Sequence, residues 1–278
     1  MKFKDSWTGN WENAFRGLRH PMESYARSDS DFGIGDCDAW LESCRNEVAY
    51  SYCSDGHEDE NWDKIDEWLI KNGELRFGKY AGEYAYIGKN DLDLAQRMIK
   101  AGSPNDKFLR QIFVSVDITA PRYWWVEMDT YKVGTTANST STMHKLASTP
   151  ITIDCFETDD FDENFVIIPY ESNSNEEEFC CGFEYTSKDM AENIIEDMER
   201  LRQKYLETKD KRYWKELVRW LPAGWLQTRT WTADYAVLRN IIHWREGHKL
   251  SEWKQFIDWC HTLPYAEELL FYNQKFDK

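Results

Sequence analysis

The feature that most constrains this chain is the run Ile112-Phe-Val-Ser-Val-Asp-Ile-Thr-Ala-Pro121. Ile112, Val114, Val116 and Ile118 alternate with Phe113, Ser115 and Asp117. A period of two puts the aliphatic set on one face of a strand. Thr119 then reads as a helix cap. Pro121 reads as an early helical residue, where its missing N–H costs little. The spacing predicts a strand feeding a helix over residues 121–132, ended by Gly134. A chain with this order must combine strands and helices, so the expected class is α/β or α+β.

Other segments fill out that class. Asn90 is placed to cap a helix to about residue 100, with Leu92, Leu94, Ala95, Met98 and Ile99 as its apolar face and Gly102 as its stop. Over 187–208, Met190, Ile194, Met198, Leu201 and Tyr205 recur at helical spacing among charges. A short helix over 212–220 must end before Pro222. Further helices are expected over 232–245 and 251–261, with Pro264 beyond. Near the start, Pro21 interrupts any helix that follows Trp7 and Trp11. The whole of 1–278 reads as one domain carrying an insertion over 33–86. That insertion is acidic and holds one helix over 60–71, where Trp62, Ile65, Trp68 and Leu69 share a side. Residues 80–87 fit a strand or a turn. Residues 147–180 are irregular and acidic, with a short strand at 165–168.

Composition narrows the function. A chain of 278 residues can bury a real core, and 15% aromatics, with 14 Trp, is not the make-up of a disordered chain. Fifty acidic residues against 34 basic give a formal charge of −16. This opposes non-specific nucleic-acid binding, which needs cations against phosphates. Apolar runs such as Phe165-Val-Ile-Ile-Pro are too short to span a bilayer. The opening Met1-Lys-Phe-Lys-Asp-Ser-Trp has no apolar signal core. A soluble, cytoplasmic protein is expected. The seven cysteines are odd in number and form no CxxC, which fits reduced thiols. Cys37, Cys44, Cys53 and His57 match no usual zinc spacing, so no metal is expected.

Chemistry-bearing residues cluster in two places. The segment Gly134-Thr-Thr-Ala-Asn-Ser-Thr-Ser-Thr carries six hydroxyls and one amide. These are short donors for a phosphate or a nucleobase edge, or else an ordinary polar connection with capping hydroxyls. Arg245 follows Leu238, Ile241, Ile242 and Trp244. It can fork onto a carbonyl or phosphate, or simply sit well at a helix C-terminus. His243 points to a different side of that helix. Tyr123-Trp124-Trp125 and Trp225 to Trp231 can stack a planar ring or fill a core or subunit interface. Glu127 and Asp129 do not share a helix face and form no catalytic pair. No Gly-rich phosphate loop, Ser-His-Asp order or HExxH occurs.

Taken together, two stretches resemble the flavin-dependent thymidylate synthases. That family's hallmark, Arg-His-Arg-x-x-Ser-x-Asn-Glu-x-Ser, follows a strand, an Ala-Pro and a helix. Here the strand, Ala120-Pro121 and helix precede Tyr131-Lys-Val-Gly-Thr-Thr136-Ala-Asn138-Ser139-Thr-Ser141. Thr136 stands for the first Ser, Asn138 for the Asn and Ser141 for the last Ser. Lys132 is the one cation left, and Ser139 replaces the Glu. The family's histidine-bearing upstream motif falls at Ser103-Pro-Asn-Asp-Lys-Phe, without its histidines. Downstream, Leu221-Pro222, Trp231, Thr232, Leu238, Asn240 and Arg245 fit the family's pattern, with Asp234 and Ala236 replacing an Asn and an Arg. The similarity covers about residues 90–145 and 207–256, and it is closest to divergent members of phage and prophage genomes.

The resemblance implies an antiparallel-rich sheet packed with a helical bundle. It implies an FAD-dependent enzyme that moves a one-carbon unit from methylenetetrahydrofolate to C5 of dUMP or a related pyrimidine deoxynucleotide, without a cysteine nucleophile. It places Arg245 on the base as the catalytic cation. Lys132, Thr136, Asn138, Ser139 and Ser141 would stand with it around the nucleotide, and Thr135, Asp234 and Asn240 beside the cofactor. Arg122 or Arg229 could replace lost cations. Family members are homotetramers with sites at subunit interfaces. The missing arginines favour a non-catalytic nucleotide-binding homologue that senses or sequesters a nucleotide, whereas the retained Arg245 and Asn240 favour the enzyme. A structural role for the Trp-rich faces is a third reading.

Overall fold

The computed structural model describes residues 1–33, 84–168 and 184–274. The helix expected over 60–71, the Cys37, Cys44, Cys53 and His57 group, Cys180, Cys181 and most of the insertion lie outside the described residues. Along the described chain run β1 (Lys2–Gly9), α1 (Trp11–Arg19), β2 (Asp31–Gly33), β3 (Tyr84–Tyr86), α2 (Lys89–Ala101), β4 (Phe113–Pro121), α3 (Arg122–Met128), β5 (Thr136–Ser139) and α4 (Thr142–Lys145). They are followed by β6 (Val166–Ile168), β7 (Tyr185–Thr186), α5 (Ser187–Thr208), α6 (Lys211–Trp220), β8 (Leu226–Asp234), α7 (Tyr235–Arg245) and α8 (Ser251–Cys260). The principal sheet has the order β1-β4-β8-β5, and the pairs β2/β3 and β6/β7 are antiparallel. This is the mixed α and β class that the alternation at 112–118 predicts.

The chain forms two compact units. One holds Met1–Ile118, Met128–Asn138 and Arg229–Lys278; the other holds Thr119–Glu127 and Ser139–Thr228. In the first, Val114, Val116 and Ile118 are fully buried while the residues between them reach solvent. The inward side chains join Phe15 of α1, Trp231 of β8, Leu238 and Ile241 of α7, and Trp253 and Phe256 of α8 in the buried set. Aromatic edges knit that core. Trp11 meets Tyr235 at 5.3 Å between centroids, and Phe256 meets both Trp231 and Trp253 at about 6 Å. Each such pair contributes about 0.5–1.5 kcal/mol beyond burial.

The start of α2 differs from expectation. The cap position is Gly88, not Asn90, and it offers no side chain. Asp29 supplies the acceptor instead, taking the N–H groups of Asn90 at 2.8 Å and Asp91 at 3.1 Å. A Cβ on Gly88 would lie 2.2 Å from the Asp29 carbonyl oxygen, so only glycine allows this approach. A carboxylate here also suits the positive helix end.

In the second unit, Leu146, Ile151, Met198, Leu217 and Leu221 form the core. Helix α5 spans the predicted 187–208, begun by a reciprocal Thr186–Asp189 capping box and ended by Lys209 at φ 54°. Of its apolar stripe, Met198 is buried but Met190 and Ile194 are exposed. Trp125 is buried and its indole N–H donates to the Gln227 carbonyl at 2.9 Å.

Three boundaries move. Pro121 ends β4 instead of opening α3, and α3 stops at Met128. Asp129 and Thr130 are poor helix formers, and a turn closes there from Tyr131 N–H to the Met128 carbonyl. Thr136–Ser139 is an edge strand within the expected loop. Trp231 and Thr232 lie in β8, and α7 begins only at Tyr235. The β-branched and aromatic run Thr228 to Thr232 suits a strand, and the Asp234 cap then starts the helix.

Candidate functional site

Arg245 is the last residue of α7. The chain then turns through Gly247, at φ 72°, into α8. That short connection sets Trp253 against the guanidinium, whose carbon lies 4.5 Å from the indole centroid. The same carbon lies 5.4 Å from the centroid of the Tyr131 ring. Arg245 Nε donates to the Tyr131 hydroxyl at 2.9 Å. Trp253 is fully buried, and Tyr131 and His248 both meet it edge-on at 6.2 Å. Arg245 itself is half-buried. A cation held over two rings gains about 0.5–2 kcal/mol, more as water is excluded. The arrangement presents a fixed charge at the surface of the first unit.

The loop after α3 reaches this cation at its beginning. The Thr135 hydroxyl donates to the Tyr131 carbonyl at 2.6 Å, closing the turn through Gly134. Gly134 has φ 78°, and a Cβ there would lie 2.9 Å from Val237 Cγ2 and 3.3 Å from Asp234 Oδ2. Glycine is thus required both for its backbone and for the close approach to α7. Asp234 caps α7, accepting from Val237 N–H at 2.9 Å. Burial pushes its carboxyl up, against the lowering from its two backbone hydrogen bonds and the Arg110 charge.

The remaining expected residues are placed as follows. Lys132 is exposed. Thr136 and Asn138 lie on the exposed edge strand β5. Ser139 and Ser141 belong to the second unit, where Ser141 caps α4 by accepting from His144 N–H at 3.3 Å. Asn240 is exposed, and its side-chain oxygen accepts from Trp244 Nε1 at 3.2 Å. Of the two substitute cations, Arg229 pairs with Asp129 at 2.8 Å, and Arg122 donates to the Leu221 carbonyl at 3.4 Å. So Arg245 bonds the Tyr131 hydroxyl, the Tyr131 carbonyl takes the Thr135 hydroxyl, and the Gly134 turn passes close to Asp234. Sequence reasoning gave Tyr131 and Trp253 no part in the site. The available signal was Tyr131 itself, an aromatic where the resemblance expects a cation.

Among the described residues no group of His, Cys, Asp and Glu is arranged to hold a metal, and no helix is long and apolar enough to cross a membrane. Cys260 is fully buried, which pushes its thiol well above the ordinary range. That makes it an inert core side chain.

No protein-family profile matches this sequence, and neither does any curated protein. Solved structures do match. A flavin-dependent thymidylate synthase ThyX from Helicobacter pylori, complexed with FAD and dUMP, aligns over 99% of both chains with a TM-score of 0.56 and 13% identity. A second ThyX structure from the same organism, with FAD and dUMP, aligns over 98% of this chain and 97% of its own, with a TM-score of 0.53 and 13% identity. At that identity the likeness is one of architecture: this chain has the fold of the ThyX thymidylate synthases.

Proposed function

We propose that this chain is a divergent flavin-dependent thymidylate synthase-like protein, of the kind carried by phage and prophage genomes. It binds a pyrimidine deoxynucleotide with Arg245 at the base and transfers a one-carbon unit from methylenetetrahydrofolate to C5 of dUMP or a close relative. One observation carries the reading: Arg245 is held by Trp253 and Tyr131 as a half-buried, oriented cation on a fold whose solved examples include complexes with FAD and dUMP. A fixed guanidinium aimed at a uracil carbonyl stabilises negative charge there and makes C5 more nucleophilic. A homotetramer in the cytoplasm, with sites completed by neighbouring subunits, belongs to the same reading.

For FAD, Lys132 is the cation of the 131–133 stretch, and the hydroxyls of Thr135 and Thr136 with the Asn138 amide are its neutral donors. When bound, reduced flavin supplies the reducing equivalents of the transfer. One observation favours a second reading, a nucleotide-binding homologue without flavin. Asp234, which stands for a neutral Asn in the resemblance, puts a carboxylate against the Gly134 turn. Each charge-assisted bond lost from a diphosphate costs about 1.5–3 kcal/mol.

Titration with FAD and dUMP, separately and together, tests both. Purified protein with a flavin band near roughly 450 nm, stabilised by dUMP, is the expected result for the enzyme. Colourless protein stabilised by dUMP and not by FAD establishes the binder. Arg245→Ala should abolish stabilisation by dUMP under either reading, and unchanged stabilisation removes Arg245 from the site.

A further inference from the structure

Helices α5 and α6 are joined by only Lys209 and Asp210 and pack on each other as a hairpin. An open groove of about 700 Å³ runs between them, lined by Ile194, Met198 and Leu201 of α5 and by Tyr213 and Trp220 of α6. Met190 lies one turn before Ile194 on the same face of α5. Met190, Ile194 and Trp220 are all exposed, Trp220 by 67%. The Trp220 indole N–H donates to Glu216 at 2.9 Å, so the polar atom of that ring is satisfied on its own helix and its apolar surface faces out. A contiguous apolar patch of this kind marks an interaction surface.

The charges along the rim say what fits there. In the first half of α5 the outer flank of the stripe carries Asp189 and Asp197; in the second half it carries Arg200 and Lys204. Glu207 in the last turn is the exception, and it pairs with Lys204 at 3.4 Å. Arg200 likewise lies 3.6 Å from Asp197 and 2.9 Å from Glu196 on its own helix. Exposed pairs of this sort are weak and exchange partners readily. A helix with an acidic first half and a basic second half is complementary to its own antiparallel image. Parallel packing would set acid against acid. The chain as a whole carries −16, so two copies repel at long range and can meet only where both signs are present.

We propose that the α5–α6 groove is a self-association surface. Its occupant is the α5 helix of a second copy of this chain, packed antiparallel about a two-fold axis, so that Met190 and Ile194 of each copy fill the groove of the other. This rests on the oligomeric part of the reading above and on no ligand. Two hairpins joined in this way make a four-helix bundle that covers both apolar stripes, and a two-fold axis is the closed symmetry such a self-complementary patch produces. The apolar stripe supplies the affinity, and the sorted charges select the antiparallel direction.

The test uses the full chain, with its mass in solution measured by sedimentation over a range of concentrations. Ile194→Glu places a charge on an exposed position of the stripe. It should halve the mass, or raise the concentration at which the assembly dissociates by about tenfold or more, with an unchanged circular-dichroism spectrum. Asp197→Lys sets cation against cation across the contact and should weaken association several-fold. Adding Lys204→Glu exchanges the two rims and should restore it, a rescue that only the antiparallel arrangement gives. A wild-type chain that is a monomer at all concentrations overturns the inference. So does an assembly whose mass and dissociation are unchanged in Ile194→Glu, or a charge exchange that brings no rescue. Thermal stabilisation by dUMP, measured on the same samples, keeps the two readings apart. An assembly broken by Ile194→Glu upholds the self-contact even where dUMP has no effect, and a dUMP response with an unbroken assembly sinks the self-contact alone.

Discussion

Arg19 Nε donates to Asp91 Oδ1 at 2.7 Å, and both side chains are buried. The second carboxylate oxygen accepts from the Ser28 and Ser30 hydroxyls at 2.6 Å each and from Asp29 N–H at 3.3 Å. Burial alone pushes the Asp91 carboxyl up, but the Ser28, Ser30 and Arg19 hydrogen bonds and the Arg19 charge outweigh it and hold the group below the usual range. One carboxylate thus ties α1, the 28–30 segment and the first turn of α2. Asp91→Ala leaves Arg19 as a buried, uncompensated cation, which costs about 3–5 kcal/mol. Urea denaturation should show that loss as a lower midpoint. A change under about 1 kcal/mol would mean the site admits water freely.

In the second unit Glu199 is the counterpart. It accepts from Arg202 at 2.6 and 2.8 Å, from Ile151 N–H at 2.9 Å and from Gln203 at 2.7 Å. The Arg202 hydrogen bonds, opposed by desolvation and helped by Ile151, Gln203 and the Arg202 charge, lower its carboxyl from the ordinary 4.5 to about 2. A folded-state value below the unfolded one means the unfolded chain binds the proton more readily. The associated stability is therefore complete above pH 4.5 and fades as pH falls toward 2. Melting curves of Glu199→Gln should be less sensitive to pH across that window than those of the wild type. Parallel curves would remove Glu199 from the acid response.

Arg239 is the clamp on the C-terminal turn. Its Nη1 donates to the carbonyls of Leu269, Leu270 and Tyr272 at 2.5, 2.8 and 3.0 Å, and burial lowers its affinity for the proton. Arg239→Met should cost about 2 kcal/mol, since the three carbonyls of Leu269, Leu270 and Tyr272 lose a charged donor while the aliphatic stem is kept. Hydrogen exchange should accelerate over residues 266–274 and leave β4 unchanged. Equal protection in both regions would show that packing, not Arg239, holds the terminus.

These contacts mark the limit of what the sequence conveys. Local periodicity and capping are written in neighbouring residues, so the buried face of β4 and the span of α5 were legible. The helix expected from Thr232 begins only at Tyr235, because pairing in the sheet, which no local pattern shows, takes Trp231 to Asp234 into β8. Met190 and Ile194 continue the stripe of Met198 yet stay exposed, because a stripe does not say how far its covering element extends. The site shows the same division. Arg245 stood out as a cation in an apolar helix. Its partner Tyr131 lies 114 positions away, and Arg19 and Asp91 are separated by 72. Nothing in either neighbourhood announces such a pair.

The Gly134 turn supplies the last prediction. Asp234 Oδ2 lies where a Cβ on Gly134 would come within 3.3 Å, while its partner oxygen caps α7. Its carboxyl is raised by burial, so at neutral pH the ionised group costs stability that protonation would recover. Asp234→Asn keeps an equally good cap and removes the charge. Thermal stability should therefore hold or rise slightly at pH 7. If this carboxylate is what repels a flavin diphosphate at the Gly134 turn, FAD should stabilise Asp234→Asn more than the wild type, while stabilisation by dUMP at Arg245 should not change. A gain of about tenfold in FAD affinity corresponds to roughly 1.4 kcal/mol, a reasonable value for one half-screened charge beside a phosphate. An identical FAD response in the two proteins would place the diphosphate away from Gly134 or leave this chain without a flavin site.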